Sequence, residues 1–244
     1  MMLKEDDVLE LNPEQRAQVI MQWHKNQHKN HEIDFKLTPF GEELKRFEVH
    51  EKVWNPEIVS GKYYTNYLFF NNARLFKEKI VLDMGCGSGI MAIVMALFGA
   101  KRVVASDISE PAIKNTKSNA KKFGVENSVF PVKGDLFENI NEKFDFIAFG
   151  HPYFGTNPPK EDPISASMLA SGAVLTKFLI EAKKHLKENG LIMLPYYSKA
   201  GSTNDPLIQG KKNGYDVTCA FHLKNNTSIQ QGEIFVYELK LKNG

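Results

Sequence analysis

From Ile80 onward the chain alternates two hydrophobic patterns. Short apolar runs, IVLDM, RVVAS, SVFPVKG, FDFIAF and GLIMLPY, are separated by amphipathic stretches at about 88–99, 110–123 and 164–188. Brief apolar runs rich in branched and aromatic residues predict buried strands, and the longer stretches with a 3.6-residue period predict helices. Alternation of this kind implies a largely parallel sheet with helices on both faces, an architecture that binds ligands at the carboxyl ends of its strands. The last two apolar runs, YDVTCAFHL and EIFVYELKL, flank a polar turn around Asn225 and Asn226 and read as two strands with a short connection.

The first sixty residues have a different character. One helix is signalled by Asn12 as cap, Pro13 at the first helical position and Gln15 at the third, with apolar positions at Ala17, Ile20, Met21 and Trp23. Beyond it Ile33, Phe35 and Leu37 alternate, as do Phe47, Val49 and Val53, before a further helix around Tyr63 to Leu75. The expected organisation is therefore a small cap over 1–60, a candidate for substrate selection, followed by an α/β domain over 61–244.

Composition narrows the functional classes. The chain has 244 residues, 42% hydrophobic and 25% charged, ordinary values for a globular protein, and no apolar stretch approaches bilayer-spanning length. Its acidic beginning, MMLKEDDVLELNPEQ, lacks a basic segment followed by an apolar block, so a cytoplasmic location is expected. Cys86 and Cys219 lie far apart and suit neither a disulfide framework nor a metal cluster. The echo HKNQHKNH brings His24, His28 and His31 together, but lysines flank them and no cysteine is near; a polar surface is the expectation, and no metal is assigned. Net charge is +2, from 31 basic and 29 acidic residues, which does not call for a polyanionic partner; Lys177, Lys183, Lys184 and Lys187 read as a solvated helix face.

The chemistry concentrates in VLDMGCGSGI, residues 81–90: a strand, an aspartate, then glycines at 85, 87 and 89 opening into the helix pattern MAIVMALFG. That order describes a turn where backbone passes close to a ligand at a helix N-terminus. A dinucleotide fingerprint needs a glycine three positions after the second, where Ile90 stands. A second acid, Asp107, ends the next strand, and a third, Asp135, follows in VKGDLF. The pattern resembles motif I of class I S-adenosylmethionine (SAM) dependent methyltransferases, from about residue 60 to the C-terminus. The resemblance implies a Rossmann-like, seven-stranded, mostly parallel sheet closed by an antiparallel C-terminal hairpin. It implies SAM as cofactor, with Gly85, Gly87 and Gly89 beside the methionine portion, Asp107 on the ribose hydroxyls and Asp135 at the adenine. Asp83, Cys86, Ser88, Ile108, Leu136 and Gly150 complete that lining, with Cys86 a small side chain rather than a nucleophile. Tyr64 and Thr65, in GKYYTNYL, match the segment that closes over the methionine end.

In relatives that modify glutamine or adenine nitrogens the fourth strand ends in an Asn-Pro-Pro-Tyr motif. Here it reads FGHPYFG: Gly150 replaces the asparagine, His151 the first proline, and Pro152 and Tyr153 match. Glycine offers no oxygen to a planar nitrogen. His151 is a candidate general base or orienting acceptor, since an imidazole of pKa near ~6.5 can take a proton at neutral pH; the competing role is to hydrogen-bond loop backbone. Tyr153, with Phe154, is a candidate for stacking on the substrate or facing the sulfonium. Asn157-Pro158-Pro159 lies too far along to replace the motif. The stretch before motif I also loosely resembles protein arginine methyltransferases, but the acids needed for a guanidinium come late, at Glu161 and Asp162.

The expected activity is methyl transfer to a nitrogen or oxygen of a small molecule or protein side chain. The alternatives are an RNA or ribosome modifier of the same fold, whose binding would weaken with salt, and a SAM-binding protein that has lost transfer.

Overall fold

The computed structural model describes residues 11–25, 29–37, 42–57, 64–67, 75–157, 163–225 and 232–242. Seven strands form the main sheet: β3 (Ile80–Met84), β4 (Arg102–Asp107), β5 (Val129–Lys133), β6 (Phe144–Phe149), β7 (Leu186–Tyr197), β8 (Tyr215–Asn225) and β9 (Gly232–Leu241). Their order is β5-β4-β3-β6-β7-β9-β8, parallel from β5 to β7, with β9 antiparallel to both β7 and β8. The chain runs outward from β3 through β4 to β5, then returns to lay β6 on the other side of β3. Connections therefore leave in opposite directions at β3 and β6, and a crevice opens there above the strand ends.

Alternation along the strands sorts side chains onto two faces. Leu82, Met84, Ile147, Phe149, Ile192 and Leu194 join one core cluster; Val81, Phe146, Ala148, Leu191 and Met193 join the other. The second face is covered by α2 (Ile90–Leu97) and α3 (Glu110–Lys122), the first by α5 (Ala173–His185) through Leu175, Phe178, Leu179 and Ala182. Fully burying each of the large apolar residues among these stabilises the fold by about 1.5–3 kcal/mol.

The first sixty residues are divided between the two faces. Helix α1 (Pro13–Lys25) has the expected reciprocal cap: Asn12 Oδ1 accepts from the Gln15 N–H at 2.9 Å, and Gln15 Oε1 from the Asn12 N–H at 3.1 Å. Its Ala17, Ile20 and Met21 pack with Tyr197 and Ala200; the Trp23 side chain lies outside the described residues. The hairpin of β1 (His31–Leu37) and β2 (Glu42–Val49) packs on the opposite face through Phe35, Leu37, Phe47 and Val49. Buried Asn119 of α3 ties it to the glycine turn: its Nδ2 donates to the carbonyls of Glu48 and Ser88, both at 2.9 Å, and its Oδ1 accepts from the Glu48 N–H.

One expected element is broken. The helix anticipated over 164–188 is α4 (Pro163–Met168), a bend, and α5, and β7 begins at Leu186. The break has a cause: Phe154 N–H donates to the Met168 carbonyl and Ala170 N–H to the Phe154 carbonyl, pulling 168–170 into a β-bridge, and Gly172 at φ 85° restarts the helix. Helix α6 (Pro206–Lys212) precedes β8. Of the helix expected from Tyr63 to Leu75, one turn at 64–67 and the helical residue Leu75 are described. The turn at Asn226, His28 and the side chain of His24 fall outside the described residues, as do Pro158, Pro159, Glu161 and Asp162. No helix among the described residues is long and apolar enough to cross a membrane.

Candidate active site

The crevice over β3 and β6 is a cavity of about 650 Å³, within the ~300–1,000 Å³ range of small-molecule sites. Tyr64, Thr65, Asp83, Gly85, Cys86, Gly87, Ser88, Asp107, Ile108, Asp135, Leu136, Gly150, His151 and Tyr153 all line it.

Gly89 sits behind the wall, not on it. With φ 85° it begins α2, and a Cβ there would stand 2.9 Å from Thr116 Cγ2 and Oγ1 and 3.1 Å from its Cα, so its smallness serves the packing of α2 against α3. Thr116 donates to the Gly87 carbonyl at 3.1 Å and to Cys86 Sγ at 3.3 Å, holding the turn from behind. Burial pushes the Cys86 thiol well up, consistent with a small, inert side chain.

Asp107 is tied to the turn it faces. Its Oδ2 accepts from the Gly87 N–H at 3.0 Å and its Oδ1 from the Ser109 N–H at 2.8 Å. A carboxylate has about four acceptor positions, so roughly two remain to accept vicinal hydroxyls. Burial raises its pKa, opposed by those amides. Exposed Ile108 stands beside it, 66% accessible, presenting an apolar surface to the same cavity. Asp135, at the far edge, pairs with Lys177 at 2.6 Å.

Asp83 is 2% exposed, and its Oδ2 accepts from the Ala92 N–H in the first turn of α2. Burial pushes its pKa to about 8, against the pull of that amide. A raised folded pKa means the folded state holds the proton more tightly; its stabilising contribution is complete below the ordinary carboxylate range and is lost as pH rises through about 8. The cofactor-free protein is thus expected to lose on the order of a few kcal/mol between pH 5 and 8 from this group. Melting curves of wild type and Asp83→Asn check this; a parallel decline in both would refute it.

At its carboxyl end, β6 peels away from β7. The last paired residues are Ala148 and Met193, while β7 continues alongside β9 to Tyr197. Two side chains fill the gap. Tyr64 Oη donates to the Met193 carbonyl at 2.7 Å. The His151 ring lies between the carbonyls of Pro152 and Pro195, each 3.0 Å from a ring nitrogen. Pro152 has no N–H, so the ladder could not continue through it, and the buried carbonyls of β7 need other donors.

This geometry corrects the general-base expectation for His151. The residue is 1% exposed, and burial pushes its pKa down to about 4 against the raising effect of the two carbonyls. A neutral ring has one N–H and one lone pair; both nitrogens face carbonyls, so that single lone pair is not directed into the cavity. Phe154 is also not at the rim: it is fully buried, its ring 6.4 Å from that of Tyr197. Lys52, Trp54, Pro56, Ser167 and Met168 also line the cavity and were missed from sequence. Lys52, Trp54 and Pro56 lie in an irregular connection, and Ser167 and Met168 end the short α4, so no motif marks them.

The model for the ribosomal protein L11 methyltransferase (PrmA) family matches residues 68–195. A Methanocaldococcus jannaschii protein provisionally named protein N5-glutamine methyltransferase is 31% identical over 184 residues, covering 73% of this chain and 89% of that protein. The fold matches the ribosomal protein L11 methylase of Lactobacillus delbrueckii subsp. bulgaricus, with TM-score 0.54 and 22% identity over 78% of this chain and 84% of that one. It also matches the T. thermophilus 16S rRNA N2 G1207 methyltransferase in complex with SAM and guanosine, with TM-score 0.61 and 15% identity over 88% of this chain and 51% of that one. The glycine turn, the amide-tethered carboxylate with acceptor positions to spare and the cavity joining them fit a nucleoside bearing a charged tail. The chain belongs to the ribosomal protein L11 methyltransferase (PrmA) family, and is a SAM-dependent methyltransferase.

Proposed function

We propose that this enzyme transfers the SAM methyl group to a nitrogen of a protein side chain, in the cytoplasm. The observation that carries the reading is the continuity of the cavity: Asp107, the glycine turn, Gly150 and Tyr153 line it together with Trp54, Pro56 and Met168. A side chain projecting from a protein surface can enter there, and the name of the M. jannaschii relative supports a protein acceptor. Residues 52–56 would serve as the acceptor-side wall, the role expected of the N-terminal cap. Both cysteines are free, as suits a reducing compartment.

Bound SAM supplies an electrophilic methyl group on a positive sulfur. The chain's part is to hold and align. The glycine turn would admit backbone close to the ligand, Asp107 would accept the ribose hydroxyls, and Ile108, Leu136 and Asp135 would hold the base. Tyr64 and His151 fix the end of β6, so that Gly150 and Tyr153 stay in register with the cofactor pocket. Alignment of this kind can account for much of a rate enhancement.

Incubating the enzyme with [methyl-³H]SAM and an extract of the source organism lacking the gene, then separating protein, RNA and metabolite pools, tests the reading. Label is expected in protein; label confined to RNA or metabolites would reject it.

A further inference from the structure

Three stretches of the cavity wall converge, behind it, on two neighbouring side chains. Tyr153 follows β6, Ser167 and Met168 end α4, and Val174 opens α5; all four line the cavity. The first two stretches are joined by an isolated bridge of two backbone hydrogen bonds, Phe154 N–H to the Met168 carbonyl and Ala170 N–H to the Phe154 carbonyl, both at 2.9 Å. Two rungs without a flanking ladder hold weakly.

Asn204, fully buried in the connection between β7 and α6, adds two more. Its Nδ2 donates to the Ala170 carbonyl at 2.8 Å and to the Phe154 carbonyl at 3.3 Å. The Phe154 carbonyl thereby uses both of its lone pairs, one on Ala170 and one on Asn204. Thr203, the preceding residue, fixes the same stretches by shape. A Cβ on Gly155 would stand 2.6 Å from Thr203 Cβ and Oγ1, and a Cβ on Gly172, at φ 85°, would stand 3.1 Å from Thr203 Cγ2. These two glycines are the seats into which 203–204 fits, one just past Phe154 and the other at the start of α5.

We propose that Asn204 is a positioning residue for methyl transfer: its two donors keep the wall past β6 in the shape that meets the acceptor. This rests on the reading above of where cofactor and acceptor lie. A wall displaced by an ångström costs a bimolecular reaction orders of magnitude in rate. The glycine turn and Asp107 sit at the ends of β3 and β4, which are held by their own parallel ladder, so the grip on the cofactor does not depend on Asn204.

Asn204→Ala, and the milder Asn204→Ser, whose single hydroxyl hydrogen can serve one carbonyl only, test this. Isothermal titration with SAM counts the folded sites and gives cofactor affinity; transfer from [methyl-³H]SAM at saturation, with the extract described above, is then expressed per site. Transfer per site is expected to fall at least tenfold in Asn204→Ala and less in Asn204→Ser, with SAM affinity within threefold of wild type. The Phe154 and Ala170 amide hydrogens of the SAM-bound protein should exchange faster in both variants, and that of Ala92 at an unchanged rate. Wild-type transfer per site would show that Asn204 serves folding alone, and a matching loss of SAM affinity would place its effect at the cofactor; either overturns the proposal. So does unchanged exchange at Phe154 and Ala170, a measurement that needs no acceptor. The protein reading is judged separately, by which pool takes the label, since the ratio of variant to wild type is read in whichever pool that is.

Discussion

Replacing Asp107 by alanine should weaken SAM binding roughly 100-fold or more. The side chain keeps two acceptor positions for hydroxyls after satisfying Gly87 and Ser109, and hydrogen bonds to a charged group contribute about 1.5–3 kcal/mol each. The variant also frees the Gly87 amide from its tether, so the loss should include a disordered turn as well as an ungripped sugar. Isothermal titration with SAM and with its demethylated product gives the comparison; affinity within threefold of wild type for both would remove Asp107 from the cofactor site. Because burial raises the pKa of this carboxyl, the proton competes with the ligand. Binding should therefore weaken as pH falls, beginning above the usual carboxylate range.

The second large effect is structural. Gly89→Ala should destabilise the protein by about 2–5 kcal/mol, combining the cost of a side chain at positive φ with overpacking. The new Cβ would meet Thr116 at 2.9 Å for both side-chain atoms and 3.1 Å for the backbone. At about 2–4 °C per kcal/mol for a chain of this length, the melting temperature should fall by roughly 5–15 °C. Thr116→Ala in the same chain removes the side-chain contacts and leaves the positive φ. The pair should accordingly cost less than the sum of the single variants. Thermal denaturation of the four proteins measures this, and strict additivity would show that the contact is absent.

Both positions stand out in the sequence, but only Asp107 lines the cavity as expected; Gly89, expected beside the methionine portion, stands behind the wall against Thr116. A glycine-rich turn between an apolar strand and a helix has few conformations open to it, and an acid closing the next strand falls beside it through the parallel pairing of β3 with β4. The limits of that reading are equally physical. The side chain of Tyr64 meets the Met193 carbonyl across 129 residues, and nothing in the local pattern near either residue encodes the contact. A signal did exist at His151: Pro152 cannot donate to a ladder, so β6 had to stop before it, and the carbonyls of β7 then needed partners from side chains. The single helix expected over 164–188 failed for a related reason, since the pairing of Phe154 with Leu169 is a long-range bridge that outweighs the helical preference of its sequence. The N-terminal segment gave its elements correctly in kind. Its division between two faces depends on partners such as Asn119 and Tyr197, which lie far along the chain.

The parting of β6 from β7 separates two duties within one scaffold. With Tyr64 and the His151 ring standing in for missing rungs, the strands below stay zipped although β6 ends before Pro152. Tyr153 and Phe154 are buried, and Phe154 is tied to Met168 and Ala170, so the place for variation is 156–157: the chain can be lengthened there without unravelling the part that grips the nucleoside. Recognition of new targets can thus evolve, or be engineered, independently of methyl supply.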